Sequence, residues 1–93
     1  MARLSKNDRS SFLAEYPKWE LEGEIISRTF AFRDFNEAMG FVMRLGLAAE
    51  VADHHPDIDI RWNKVHLTLT THSEQALTRK DTDLASLYEN YAG

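Results

Sequence analysis

The chain has no cysteine. That excludes disulfides, thiolate nucleophiles and thiolate zinc sites, and it suits a reducing, cytoplasmic setting. Long apolar runs are missing as well. None approaches the roughly 20 residues of a membrane span, so no membrane association is expected. The first residues, Met1-Ala2-Arg3-Leu4-Ser5, lead into no apolar signal-peptide core. Positive charge is scarce: 11 basic against 15 acidic side chains give a net charge of −4. A nucleic-acid binder ordinarily carries a basic face, so direct DNA or RNA binding is not expected. Repeats, linkers and low-complexity tracts are also lacking. Ninety-three residues, 43% hydrophobic and 28% charged, make one ordinary globular domain over 1–93, with room for one modest core.

Turn and periodicity signals divide that domain. Ser5 with Asp8 reads as a capping box that opens a helix from about Lys6 to Glu15, burying Phe12 and Leu13 and stopped by Pro17. Lys18 to Leu21 is a short strand with Trp19 as its bulky residue. A turn at Glu22-Gly23, of the bulged kind, leads to an alternating strand from Glu24 to Phe32. Ile26, Phe30 and Phe32 share its apolar face, which Arg28 interrupts. Asp34, with Glu37 behind it, caps a second helix running to about Ala52, with Phe35, Ala38, Met39, Val42, Leu45 and Ala49 at helical spacing. Ile58, Ile60 and Trp62 alternate with charged residues. A tight turn at Asn63-Lys64 joins them to a partner strand carrying Val65, Leu67 and Leu69. Thr78 and Asp81 cap a last helix whose stripe is Leu84, Leu87, Tyr88 and Tyr91. The order α-β-β-α-β-β-α predicts an α+β fold: a four-stranded antiparallel sheet with helices on one face.

What the chain does have is histidine in one neighbourhood. Three of its four histidines lie in Glu50-Val51-Ala52-Asp53-His54-His55-Pro56 and Thr70-Thr71-His72. Imidazole, with an unperturbed pKa of about 6.5, gives and takes protons near neutral pH. Pro56 ends the helix, so His54 and His55 sit at a helix-to-strand corner. The turn at Asn63-Lys64 puts His72 opposite His55, bringing three histidines to one end of the sheet. Glu50 lies one helical turn before His54, close enough to orient its ring. The plain alternative for His54 and His55 is a polar loop after a helix, where positive charge is mildly favoured; it stands level with the functional reading. His66 has the strand parity of His72 but sits near the turn, at the far end. Asp81 reads first as the cap partner of Thr78, and Trp19 as core or pocket wall. Glu50, His54, His55 and His72 are also ligand types that suit zinc or iron. Against a metal stand the missing His-Glu-x-x-His pattern and the awkwardness of adjacent ligands at one ion, so none is expected.

The ordered set Glu50-x-x-x-His54-His55-Pro56, Trp62 after five intervening residues, His72 after nine more, and then Asp81 resembles the signature of the pterin-4a-carbinolamine dehydratases. The likeness extends through Trp19-Glu20-Leu21-Glu22-Gly23, Asp34-Phe35-Asn36, Asn63-Lys64-Val65-His66 and Asp81-x-x-Leu84-Ala85, from about Trp19 to Tyr91. Trp62 stands where tyrosine is frequent, and the helix before Trp19 is shortened; both bear on pocket shape. The resemblance implies loss of water from a pterin hydroxylated at its bridgehead carbon, giving the quinonoid dihydropterin and recycling the pterin of aromatic amino-acid hydroxylases. It implies no cofactor. His54, His55 and His72 would be catalytic, Asp53, Thr70, Thr71 and Ser73 would contact substrate, and Glu50, Trp19 and Asp81 would support them. Homodimers or homotetramers are expected, both from the resemblance and from the free edges of a small sheet. The family also includes dimerisation partners of a transcription factor, so a non-catalytic interaction module is the alternative. A third reading is a dehydratase-like protein of molybdenum cofactor metabolism.

Overall fold

Each helix starts where a side chain answers its first free amides. Ser5 Oγ accepts the amide of Asp8 at 3.1 Å and opens α1, Lys6–Glu15; this forward bond is the half of the expected box that forms. Asp34 accepts the amide of Glu37 at 2.9 Å and opens α2, Phe35–Ala52. Thr78 and Asp81 make a reciprocal capping box at the start of α3, Arg79–Ala92. Between the helices run β1 (Glu20–Glu22), β2 (Ile25–Ala31), β3 (Asp57–Arg61) and β4 (Lys64–Leu69). The structure, a computed structural model, describes residues 2–93. All strand pairs are antiparallel, in the order β1-β2-β4-β3.

The three helices cover one face of that sheet. Phe12 of α1, Ala38, Phe41 and Leu45 of α2, and Leu84, Ala85 and Tyr88 of α3 meet Ile26, Phe30, Val65, Leu67 and Leu69 from the strands. Arg28, which interrupts the apolar face of β2, is accommodated rather than misplaced. Its guanidinium pairs with Glu89 and lies 3.9 Å from the centre of the Phe30 ring. Trp19, just before β1, is buried between Phe12 and Phe30 and donates from Nε1 to Glu89 at 2.8 Å. It is a core residue and not a pocket wall. Among the described residues no helix is long and apolar enough to cross a membrane.

Three expectations are corrected. The first hairpin has no bulge: Glu22 pairs with Ile25, so the turn is Gly23-Glu24, and Gly23 takes φ +61°, which the first turn position of such a hairpin asks of glycine. In the second hairpin Arg61 pairs with Lys64, so the turn is Trp62-Asn63 and not Asn63-Lys64. Trp62 adopts φ +49° and is exposed in that turn, which Asn63 anchors by donating from Nδ2 to the Phe32 carbonyl at 2.7 Å. The shift is two residues in the ladder, so inward and outward faces keep their identity. On α2 the core face is Ala38, Phe41, Leu45 and Ala49, whereas Phe35 and Met39 face outward.

The segment before α1 is tied to the β1–β2 turn by one carboxylate. Arg9 donates from both terminal nitrogens to Glu24, at 3.0 and 2.7 Å, and from Nε to the Leu4 carbonyl at 2.9 Å. Arg3 adds a third arginine contact at 2.8 Å. The Arg9 hydrogen bonds, followed by the Leu77 amide, hold the Glu24 carboxyl at about 2, against 4.5 for the free group. A carboxyl lowered on folding adds stability that is full above its unfolded value and is lost as pH falls through its folded one. Glu24→Gln should therefore be less stable than the wild type at pH 7, and the difference should close between about pH 4.5 and 2. Urea midpoints across that range check this; a difference independent of pH would contradict it.

Candidate active site

The end of α2 decides where the two adjacent histidines go. Asp53 takes a left-handed conformation, φ 51° and ψ 43°, and its amide and that of His54 close onto the carbonyls of Ala49 and Glu50. The chain leaves the helix there, and the His54 ring reaches α3 rather than lying back along α2. Its Nε2 donates to Asp81 Oδ1 at 2.5 Å. Only 10% of the His54 side chain is exposed, against none of Asp81 and 53% of His55.

Asp81 is the hub of a buried polar network. Its Oδ2 accepts the Thr71 hydroxyl at 2.8 Å and the Thr78 amide at 2.9 Å. Because the Thr71 hydroxyl proton goes to Asp81, the Thr78 hydroxyl is the donor in the 2.7 Å Thr71–Thr78 contact. A carboxylate only accepts, so the neutral His54 ring bound to it carries its proton on Nε2. Nδ1 of His54 has no hydrogen-bond partner among the described residues.

After β4 the chain forms a narrow loop. Thr71 and Ala76 make an isolated antiparallel bridge, with amide bonds of 3.1 and 3.3 Å, and close its neck. Between them a 3₁₀ turn, His72–Glu74, carries exposed His72 and Ser73 at the tip, and Gln75 turns back with φ +52°. The end of α2, this loop and the start of α3 therefore converge through Asp81: His54 touches it directly, and His72 follows Thr71, which does. The expected ladder opposition of His55 and His72 is absent, since β3 starts at Asp57, opposite Thr68.

The other candidate residues sort by position. Glu50 contacts His55 Nε2, so it orients the neighbour of the histidine it was matched with. Asp53 is exposed at the α2 cap. Thr70 is half-buried and its hydroxyl donates to the Glu24 carbonyl at 2.7 Å. Thr71 is buried behind the surface, its hydroxyl engaged by Asp81 and Thr78. Trp19 is in the core, as described above. His66 is on the outward face of β4, bonded through Nδ1 to Thr29 at 2.7 Å, near the Trp62-Asn63 turn. Among the described residues no group of three or more His, Cys, Asp or Glu side chains is placed to hold a metal ion. Glu24 was not among the sequence candidates, because its partners Arg9, Thr70 and Leu77 come from distant segments.

Known proteins resemble the chain over nearly all of its length. The family model described as pterin 4 alpha carbinolamine dehydratase matches residues 2–91. A protein of Thermomicrobium roseum, provisionally named a pterin-4-alpha-carbinolamine dehydratase, is 51% identical over 85 residues, 91% of each chain. One of Chloroflexus aurantiacus with the same provisional name is 46% identical over the whole of both. The crystal structure of a transcriptional coactivator/pterin dehydratase from Brucella melitensis is similar with a TM-score of 0.93 and 36% identity, covering 99% of this chain and 100% of that one. A pterin dehydratase-like protein identified as a RuBisCO assembly factor in the alpha-carboxysome gives a TM-score of 0.68 at 20% identity, covering 81% and 87%; that likeness is one of fold alone.

Removing the hub should be costly. Asp81→Ala leaves donors from His54, Thr71 and Thr78 without their acceptor in a buried place, and the expected loss is about 2–4 kcal/mol. Asp81→Asn, which keeps one acceptor oxygen, should lose less. Urea denaturation of both variants measures this; an Asp81→Ala protein as stable as the wild type would contradict the network.

Proposed function

The chain belongs to the pterin 4 alpha carbinolamine dehydratase family, and from that premise we propose that it removes water from a pterin 4a-carbinolamine by histidine acid–base chemistry. The observation that carries the reading is the His54–Asp81 bond. A buried carboxylate fixes one ring nitrogen as donor and leaves the other as a lone pair, the arrangement of an oriented general base. The reaction breaks the bond between the bridgehead carbon and its hydroxyl, which leaves as water after taking a proton. The adjacent ring N–H gives up its proton, and its electron pair forms the C=N bond of the quinonoid product. In this reading His54 Nδ1 accepts the ring proton. His72 and His55, both exposed, protonate the leaving hydroxyl and exchange protons with solvent. The pterin is that of aromatic amino-acid hydroxylation, recycled in the cytoplasm.

The test is the ultraviolet-monitored decay of a 4a-hydroxytetrahydropterin, with and without the protein. The wild type should accelerate it. His55→Ala and His72→Ala should each lose ~10²–10⁴-fold in rate while staying within ~0.5 kcal/mol of wild-type stability. His54→Ala should lose activity and also ~1–3 kcal/mol, since Asp81 is left short of a donor. His66→Ala, bonded to Thr29 at the other end of the hairpin, should turn over normally. A decay rate unchanged by the wild-type protein would sink the proposal, and His66→Ala as damaging as His72→Ala would misplace the site.

Self-association belongs to the same reading, and α2 supplies the surface. Phe35, Met39, Met43, Leu47 and Val51 recur every fourth residue along its outward side; the last three are 63%, 62% and 90% exposed. Ile58 and Ile60, exposed on the helix-bearing side of edge strand β3, add to it. These side chains offer on the order of 600 Å², close to the ~800 Å² each partner gives a stable interface. Gly46, inside the helix next to Leu47, costs about 1 kcal/mol relative to alanine, yet apart from its chain neighbours and the helix's own backbone nothing among the described residues lies within 4 Å of where a Cβ would stand. A second copy laying its own α2 across this one would use that space. The β3 edge is the poorer choice, blunted by Asp57, Asp59 and Arg61. Wild-type protein at micromolar concentration should sediment as a dimer or larger, and Met43→Glu with Leu47→Glu as a monomer. A wild-type monomer of 10.7 kDa, or a double variant that still associates, would contradict it. The same ridge is what favours the interaction-module alternative, in which a different protein takes the place of the second copy.

A further inference from the structure

We infer that Glu24 is a positioning residue for His72, fastening both ends of the loop that carries it while Arg9 holds Glu24 in place. The inference rests on the reading of His72 as part of the active site. The loop leaves the sheet at Thr70 and returns to α3 at Leu77. At its first end the Thr70 hydroxyl donates to the Glu24 carbonyl at 2.7 Å, and at its second the Leu77 amide donates to Glu24 Oε1 at 3.0 Å. One residue of the β1–β2 turn therefore spans the base of an eight-residue segment whose tip is a 3₁₀ turn with exposed His72. The neck is one of the things that set the place of the tip.

Two acidic residues hold it from opposite sides in sequence. Asp81, from the helix that follows, takes the Thr71 hydroxyl and the Thr78 amide. Glu24, from the strand pair that precedes, takes the outer positions, Thr70 through its backbone carbonyl and Leu77 through its carboxylate. Asp81 also binds His54, so the two acidic residues together tie the His72 loop to the segment that carries His54. Glu24 would swing freely as a lone turn side chain. It does not, because Arg9 grips both its oxygens and also donates to the carbonyls of Gly23 at 3.2 Å and Leu4 at 2.9 Å. The Leu4 amide in turn donates to the Leu77 carbonyl at 2.8 Å, so the segment before α1 closes the same assembly. Helix α1 thereby acts on a site it does not touch.

The experiment compares Glu24→Ala, Glu24→Gln and Arg9→Met with the full wild-type chain. Three things are read: amide exchange at Leu77 and Thr71 relative to Leu67 in the core, the ring resonances of His72, and turnover of 4a-hydroxytetrahydropterin. In Glu24→Ala the Leu77 amide should exchange about tenfold faster or more against the Leu67 reference. The His72 ring signals should shift or broaden, and kcat should fall about 10- to 100-fold. Glu24→Gln keeps an oxygen for the Leu77 amide and should recover much of the protection and of kcat, and Arg9→Met should fall between. Should Glu24→Ala fail to fold, the same readings on the other two variants decide, with smaller changes in the same direction. Unchanged Leu77 exchange and unchanged His72 signals in folded variants would overturn the inference. A wild-type protein without turnover would count against the dehydration reading instead, and the exchange and His72 readings would still decide the role of Glu24.

Discussion

A carboxylate shut off from solvent has to be answered by donors, and Asp81 collects them from three elements. Its own helix gives the Thr78 amide, the loop after β4 gives the Thr71 hydroxyl, and the end of α2 gives the His54 ring. An isolated buried charge would cost several kcal/mol; here the charge also sits in the first turn of α3, where the helix dipole favours it. The three segments are held at this point because any of them moving away leaves the charge short of a partner. The ring of His54 is thereby oriented without a disulfide, in a chain that has no cysteine to make one.

Much of the architecture was legible because it depends on local chemistry. Ser5, Asp34 and Thr78 cap helices through bonds made within a few residues, and alternation in β2 and β4 follows from one buried face. What failed depended on partners far along the chain. Ile58, Ile60 and Trp62 continue a perfect alternation, but Trp62 sits in the turn, which Asn63 fixes from the Phe32 carbonyl some thirty residues away. Phe35 and Met39 fit the helical spacing of a core stripe, yet α2 is apolar on two sides, and periodicity does not say which side meets the sheet.

At the site, the meeting of the end of α2 with the segment after β4 was readable, and the pairing within it was not. Matching Glu50 to His54 by helical arithmetic assumed that the helix persists. Asp53 ends it in a left-handed turn, so His54 goes to Asp81 and Glu50 meets His55. Asp81 gave its capping role in sequence and a supporting one through the resemblance, but not its partner, since only the fold puts His54 within reach. Thr71, which the resemblance implied as a substrate contact, is buried. Glu24 gave no sign at all; its neighbours Arg9 and Leu77 are its neighbours only in space.

The claim on which the rest depends is that Asp81 fixes the tautomer of His54. Long-range ¹⁵N–¹H correlation spectra of the ring, recorded where His54 is neutral, measure it directly. The structure predicts a protonated Nε2 and an unprotonated Nδ1 in the wild type, with a mixture of tautomers in Asp81→Ala. A His54 ring protonated on Nδ1, or one averaging between tautomers in the wild type as in the variant, would contradict it.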